Sequence, residues 1–144
     1  NGLNVEDEIR SMRVSDYVSE VSKIKEVRAE LVAQQQKMGK KKGVVMDGRD
    51  IGTVVFPTAE LKVFMSADLN IRAERRQKEL LERGELVALE KIVQNLAELD
   101  QLDTTRLESP LRKAEDAVEL DTSLLEFEDQ VNQIVSFAKE KIGI

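Results

Sequence analysis

From residue 44 onward, short apolar runs alternate with longer stretches of helical periodicity, and this alternation strongly constrains the fold. The apolar runs are VVM (44–46), LKVFMSA (61–67) and AVELD (117–121). The intervening stretches, at about 68–83, 86–99 and 127–142, repeat apolar side chains every three or four positions, which is typical of amphipathic helices. Because parallel strands need a crossover between them, usually a helix, this order predicts an α/β fold with a parallel sheet.

The first 43 residues differ from the rest in both pattern and charge. Apolar residues recur at helical spacing from Tyr17 to Val32, which predicts one long helix that ends at Gly39. This segment contains nine basic and seven acidic residues, whereas residues 44–144 contain thirteen and twenty-one. We therefore place an internal boundary at Gly43 and expect a helical segment attached to the α/β part.

Several function classes are excluded or disfavoured by composition. The chain contains neither Cys nor His, which excludes disulfides, thiolate zinc sites and catalysis by either side chain within this sequence. Its formal net charge of −6 argues against binding a nucleic acid polymer, because such binding needs a cationic surface. No apolar run approaches the roughly 18 residues of a membrane span, and no signal peptide is recognised. We expect a cytoplasmic protein without a membrane partner.

The stretch VVMDGRDIG places charged residues directly after a predicted strand. Ligands of open α/β sheets bind beyond the carboxyl ends of strands, which makes Asp47, Arg49 and Asp50 candidate ligand contacts. An arginine offers a planar fork of donors that suits a phosphate. A carboxylate can hold Mg²⁺ through water or accept a hydrogen bond from a ligand amine. By spacing alone, a purely structural turn explains these residues as well, since D-G-x-D is a common turn sequence.

The wider context of this motif resembles a known family. The stretch DGRDIGTVVFPTAELKVFMSADLNIRAERR resembles bacterial cytidylate kinases, the enzymes that phosphorylate CMP and dCMP. The stretch DTTRLESPLRKAEDAVELDTSLL looks like the lid and last core strand of that family, and EIRSMRVSDYVSEVSKIKEVRAELVAQQQ like its monophosphate-binding insert. The resemblance implies an α/β, P-loop-containing nucleoside triphosphate hydrolase-like core with a partial parallel sheet. Residues 1–43 then belong to the CMP-binding insert, and residues 44–144 to the carboxyl-terminal part of the core, with the lid at about 84–113.

One motif of these kinases is absent from the sequence. The family carries a phosphate-cradling loop, GxxxxGK[ST], whereas the single Gly-Lys pair here, Gly39-Lys40, is followed by Lys41. We therefore expect the carboxyl-terminal part of a cytidylate kinase, inactive by itself. The alternatives are a pyrimidine-monophosphate-binding module without catalysis, a regulatory domain derived from such a kinase, and a small complete three-stranded domain.

The resemblance also implies which residues contact the acceptor nucleotide. Those that match the family's contacts to the cytosine ring are Ser19, Arg28 and Asp50. Arg49 and Arg106 match arginines that hold the phosphate, and Asp103 matches the carboxylate that binds the sugar hydroxyl. Ser19 and Arg28 are nine residues apart and would share one face of a continuous helix. Without the resemblance, Ser19 is a polar residue on a solvated helix face and Asp103–Arg106 an exposed charge pair.

The catalytic residues that the resemblance implies are Asp47, Arg49 and Arg106. Asp47 would serve Mg²⁺ through water, with ATP as the phosphate donor. Arg75 and Arg76 would face the ATP side, although pairing with nearby glutamates on the same helix is the alternative.

Two features of the sequence set it apart from a typical intact kinase of this family. The family usually has a lid arginine four residues before Asp103, where this chain has Leu99, and this puts normal catalytic efficiency in question. In the family, an amino-terminal strand lies in the middle of the sheet. Without it, we expect a gap between the strand at 44–46 and the strand that starts at Leu61, marginal stability and possible self-association.

Overall fold

The computed structural model describes residues 2–144, apart from the side chains of residues 7, 12, 15, 16 and 19. The helices are α1 (Glu6–Ile9), α2 (Met12–Ser22), α3 (Lys25–Gly39), α4 (Leu69–Glu82), α5 (Leu89–Thr105) and α6 (Phe127–Ile142). A π-helical turn spans Ile51–Val55, and the strands are β1 (Val63–Ser66) and β2 (Val118–Asp121). The fold is mixed α/β and mostly helical, and no helix in the described part is long and apolar enough to cross a membrane.

The two strands form a parallel pair, with α4 and α5 in the connection between them. Val63 lies opposite Val118, and Ser66 lies opposite Asp121. The ladder continues past its ends, because the amide of Val118 donates to Lys62 and that of Thr122 donates to Ser66. The predicted parallel pairing of the second and third apolar runs, across a helical crossover, is therefore confirmed.

The prediction of a strand at residues 44–46 is wrong. This run has no regular secondary structure, and Val45 is 99% exposed. A strand is stable only where a neighbour satisfies its backbone groups, and β1 pairs with β2 alone within the described residues. The apolar run that favours a strand is present in the sequence, but among the described residues no strand lies beside it.

The most deeply buried cluster lies between α4 and α5. Ala73, Leu80 and Ile92 are 0%, 0% and 1% exposed and pack together. The predicted start of α4 is confirmed, because one carboxylate oxygen of Asp68 accepts hydrogen bonds from the amides of the second and third helical residues. The predicted stop is confirmed as well, since Gly84 adopts a left-handed φ of +80° just after the helix. This core fixes the first half of α5, whose other end reaches the candidate site.

The predicted long amino-terminal helix is divided in two. Ile24 takes an extended conformation, with ψ of 112°, between α2 and α3. The break allows α2 to contact both α3 and α5, which a single straight helix could not do. Ser19 and Arg28 therefore lie on separate helices, so the argument that their spacing places them on one face is wrong.

Candidate functional site

A cavity of about 340 Å³ lies where α2, α3, the 48–51 segment and the end of α5 meet. Its lining residues are Val18, Ser22, Arg28, Gln35, Gly48, Arg49, Asp50, Ile51, Leu99, Asp103 and Arg106. Five of the side chains predicted to contact the acceptor nucleotide are among them. The fold therefore brings together Arg28, Arg49, Asp50, Asp103 and Arg106, which are far apart in the sequence.

One side of the cavity is built on a buried ion pair between Arg28 and Asp50. The Nη2 group of Arg28 donates to Oδ2 of Asp50, and the two side chains are only 14% and 10% exposed. The π-helical turn fixes Asp50, because the carbonyl oxygen of Asp50 accepts a hydrogen bond from the amide of Val54 at 2.8 Å. Gln36 on α3 donates to the carbonyl of Val55 at 3.2 Å. Helix α3 thus supplies Arg28 and also anchors the turn that carries its partner.

On the other side of the cavity, one carboxylate is shared by two arginines. Arg49 Nε donates to Asp103 Oδ2 at 3.0 Å, and Arg106 Nη1 donates to Asp103 Oδ1 at 3.2 Å. Arg106 also donates from Nε to the carbonyl of Ser109 at 2.8 Å. Asp103 and Arg106 are 13% and 7% exposed at their side chains, whereas Arg49 is 60% exposed. Arg49 is therefore the cation of this group most accessible from solvent.

The positive groups of the cavity are incompletely satisfied by protein. Among the described side chains, three arginines face two carboxylates, and Arg28 Nε and Arg106 Nη2 are buried without a hydrogen-bond partner in that part of the chain. Burial lowers the pKa of Arg106 below its usual value, and the positive charge of Arg28 lowers it further. A buried donor without a partner costs free energy, so this arrangement favours an anion with several acceptor oxygens. A phosphate monoester has that chemistry.

The remaining predicted residues lie elsewhere. Asp47 is exposed and does not line the cavity. Arg75 donates to the carbonyls of Thr122 and Leu125 at 2.7 and 3.1 Å, which ties α4 to the loop after β2. Arg76 donates to a carboxylate oxygen of Glu79 at 2.7 Å and to a backbone carbonyl of the α1–α2 loop at 2.8 Å. The side chain of Ser19 lies outside the described residues.

Sequence reasoning did not assign Val18, Ser22, Gln35 or Ile51 to the site, although all four line the cavity. A signal existed for Gln35, which follows Arg28 by seven residues and so shares its helix face after two turns. For Ser22 no local signal existed, because the break at Ile24 determines where α2 lies.

No group of three or more acidic, His or Cys side chains that could hold a metal ion occurs among the described residues. A complete protein cage for a cation is therefore absent from that part of the chain. The site described above is instead an arrangement of guanidinium groups and carboxylates around an open cavity.

Comparison with known proteins agrees with this chemistry. The family model for cytidylate kinase matches residues 1–140. The chain belongs to the cytidylate kinase family. It is 59% identical over 142 residues to a cytidylate kinase of Cytophaga hutchinsonii, which covers 99% of this chain and 61% of the relative. It is 49% identical over 144 residues to one of Flavobacterium johnsoniae (100% and 63%) and 55% identical over 130 residues to one of Phocaeicola vulgatus (90% and 57%).

These relatives confirm the family that the sequence motifs indicated. The chain spans about three fifths of the length of the curated relatives named here, as the shares of 61%, 63% and 57% show.

Proposed function

We propose that this chain supplies the acceptor-nucleotide site and the lid of a (d)CMP kinase, which transfers the γ-phosphate of ATP to CMP or dCMP to give CDP or dCDP. The observation that carries the proposal is the cavity itself, where a buried Arg28–Asp50 pair lies beside two arginines that share Asp103. Residues 1–43 would belong to the CMP-binding insert, and residues 44–144 to the carboxyl-terminal part of a P-loop kinase core with its lid at about 84–113.

The Arg28–Asp50 pair has the polarity needed to recognise cytosine. Cytosine presents an amine donor next to ring acceptors, whereas uracil has an oxygen in place of that amine. The Asp50 carboxylate would accept from the amine, and Arg28 would donate to an acceptor of the ring. The oxygen of uracil would instead face a carboxylate, so the pair would discriminate against UMP. Ser19 would contribute a further contact to the base.

The shared carboxylate marks the sugar and phosphate end. Arg49 and Arg106 would hold the phosphate of CMP, and Arg106 offers for this purpose a buried Nη2 donor that has no protein partner. Asp103 lies between them and would accept from a sugar hydroxyl. Phosphoryl transfer depends mainly on positioning and charge stabilisation, so arginines and carboxylates suffice on the acceptor side without a general base from His.

The donor side requires groups beyond those in the cavity. Mg²⁺ in such sites is usually held by one or two carboxylates together with substrate phosphates, and the exposed carboxylate of Asp47 fits that pattern. When bound, the ion would neutralise charge on the transferred phosphoryl group. Arg75 and Arg76 remain the residues proposed for the ATP side, where they would have to exchange their protein contacts for a nucleotide. A cytoplasmic location belongs to the same proposal.

A non-catalytic pyrimidine-monophosphate-binding or regulatory domain is the second candidate. It is favoured by Leu99, which lies at the cavity wall where the family usually has a lid arginine. The isolated 144-residue chain is expected to bind CMP without turning it over, because nothing like the phosphate-cradling loop holds ATP. An ADP-release assay that found turnover by this chain at the rate of an intact kinase would contradict that expectation.

Calorimetric titration of the chain with CMP, UMP and cytidine tests the acceptor site directly. CMP should bind more tightly than UMP, because of the Arg28–Asp50 pair, and more tightly than cytidine, because of the arginines around Asp103. Arg106→Met should reduce the advantage of CMP over cytidine, whereas Arg112→Met, a change at an exposed position outside the cavity, should leave it unchanged. Equal affinities for CMP, UMP and cytidine would refute the proposed site.

A further inference from the structure

Outside the cavity, Arg72 and Asp100 form a two-pronged ion pair between α4 and α5. Arg72 Nη1 donates to Asp100 Oδ1 at 3.0 Å, and Arg72 Nη2 donates to Asp100 Oδ2 at 2.6 Å. The remaining donor, Arg72 Nε, contacts the carbonyl of Ala67 at 3.1 Å. Ala67 directly follows β1, so this guanidinium connects the carboxyl end of the strand to the side of α5.

This geometry distinguishes the pair from an ordinary surface salt bridge. The two side chains are 33% and 46% exposed, and an exposed pair with loose geometry contributes little to stability. Parallel hydrogen bonds from a planar fork, however, fix the relative orientation of both partners. The hydrogen bonds that Arg72 donates to Asp100 also raise the pKa of Arg72 above its usual value. We therefore expect the Arg72–Asp100 pair to fix the orientation of α5 relative to α4 more than to raise the free energy of unfolding.

Asp100 occupies a position on α5 from which it can orient the cavity. Leu99 precedes it, and Asp103 follows it by one helical turn; both line the cavity, as does Arg106 at the end of the helix. The core contact between α4 and α5 is centred on Ile92 and extends to Leu96, four residues before Asp100 or about 6 Å along the axis. The pair with Arg72 is therefore a second attachment, close to the end of α5 that carries the site.

We propose that Arg72 and Asp100 are positioning residues that orient the carboxyl-terminal part of α5 and thereby place Asp103 and Arg106 for the phosphate of the acceptor nucleotide. The inference rests on the proposed function of the cavity. It assigns the pair to the phosphate end alone, because the Arg28–Asp50 pair is held by α3 and the π-helical turn and makes no hydrogen bond to α5 among the described residues.

The test compares CMP and cytidine binding to the full 144-residue chain by calorimetry. Arg72→Lys keeps the charge but loses the fork, and Asp100→Asn keeps the shape but loses the charge. Each should weaken CMP binding by about three- to tenfold, in the range expected for residues that act on a site from outside it. Cytidine binding should change less than about twofold, since it lacks the phosphate. Asp100→Glu, which keeps the carboxylate, should recover part of the loss.

A matched control is Arg83→Lys, at the other end of α4, where the arginine pairs with Glu79 and lies outside the cavity. It should leave both affinities unchanged. In an Arg106→Met background, Asp100→Asn should have little further effect on CMP, because both changes act through the same contact. Circular dichroism and thermal melting confirm that each variant is folded.

The outcomes separate this inference from the proposed function. If the unmodified chain binds neither CMP nor cytidine, the proposed function fails and the inference falls with it. If the unmodified chain binds CMP but Arg72→Lys and Asp100→Asn bind it equally well, the inference alone is wrong. Equal losses for CMP and cytidine would also overturn it, since they indicate a general structural role.

Discussion

Replacing Asp50 with Asn tests whether the Arg28–Asp50 pair is a buried charge pair that the fold depends on. Both side chains are largely buried, and the Nε group of Arg28 already has no hydrogen-bond partner. Asn keeps the size of Asp but not its charge. The substitution therefore leaves a buried guanidinium without a counter-charge, which is costlier than the loss of one hydrogen bond.

The expected magnitude follows from that burial. Removing one partner of a buried ion pair typically costs about 3–5 kcal/mol in the free energy of unfolding. We expect about 3 kcal/mol here, the lower end, because Arg28 lines an open cavity that admits water and because Asn still offers an acceptor oxygen. For a chain of 144 residues, about 2–4 °C in Tm per kcal/mol gives a fall of about 6–12 °C.

The assay is urea and thermal unfolding of four chains: unmodified, Asp50→Asn, Arg28→Met, and the double variant. Arg28→Met in the Asp50→Asn background removes the buried guanidinium that has lost its counter-charge, so the double variant should be more stable than Asp50→Asn alone. Glu119→Gln breaks the exposed Lys113–Glu119 pair, whose side chains are 43% and 58% exposed, and is the matched control, with little change expected. A dependence of the fold on this charge pair is refuted if Asp50→Asn changes stability no more than Glu119→Gln, or if the double variant is less stable than Asp50→Asn.

Three further predictions concern stability and assembly. Leu80→Ala, at a fully buried position between α4 and α5, should lower the free energy of unfolding by about 3 kcal/mol in denaturant titrations; a loss under about 1 kcal/mol would show that this cluster is not the core. Hydrogen bonds lower the pKa values of Glu60, Asp116 and Asp121, so the stability they contribute is complete above about pH 5 and is lost as the pH falls further; Asp116→Asn should flatten this acid dependence. With Val45 99% and Leu124 95% exposed, sedimentation should detect concentration-dependent self-association that Val45→Asp weakens, whereas a monomer at all concentrations contradicts this.

Local signals in the sequence predicted α4 closely, whereas α5 begins three residues later and ends six residues later than the predicted stretch at 86–99. The cap at Asp68 and the stop at Gly84 satisfy or end the helix through neighbouring backbone groups, and they are visible without knowledge of the fold. Helix α6 at Phe127–Ile142 likewise has the predicted bounds. For these elements, sequence periodicity and structure agree because no distant contact has to be known.

Where distant contacts decide, sequence reasoning failed. The apolar run at 44–46 has the composition of a strand, but the described residues offer no strand beside it with which its backbone could pair. The helix break at Ile24 has neither Gly nor Pro beside it, and apolar periodicity continues across it. Packing of α2 against α5 accompanies the break, and such packing is not encoded in the local pattern.

The candidate site shows the same division. Sequence spacing alone could not have predicted that Arg28 contacts Asp50, 22 positions away, or that Arg49 contacts Asp103, 54 positions away. Family resemblance selected these residues, and the fold brings them to one cavity. The family resemblance did not select Gln35, which shares the helix face of Arg28, because none of the motifs indicated a role for this residue.

On the proposed function, the shared carboxylate of Asp103 would link recognition of the phosphate to recognition of the sugar. Each oxygen of Asp103 accepts a hydrogen bond from one arginine, Oδ2 from Arg49 and Oδ1 from Arg106. On the proposed function, a phosphate that binds the exposed Arg49 replaces Asp103 as its partner and leaves a carboxylate oxygen available for a sugar hydroxyl. A nucleoside without a phosphate would leave that oxygen paired with Arg49, so its sugar hydroxyl would have to share an oxygen whose charge is already neutralised. On the proposed function, the phosphate would therefore strengthen the sugar contact, so the cavity would distinguish a nucleotide from a nucleoside at two contacts rather than one.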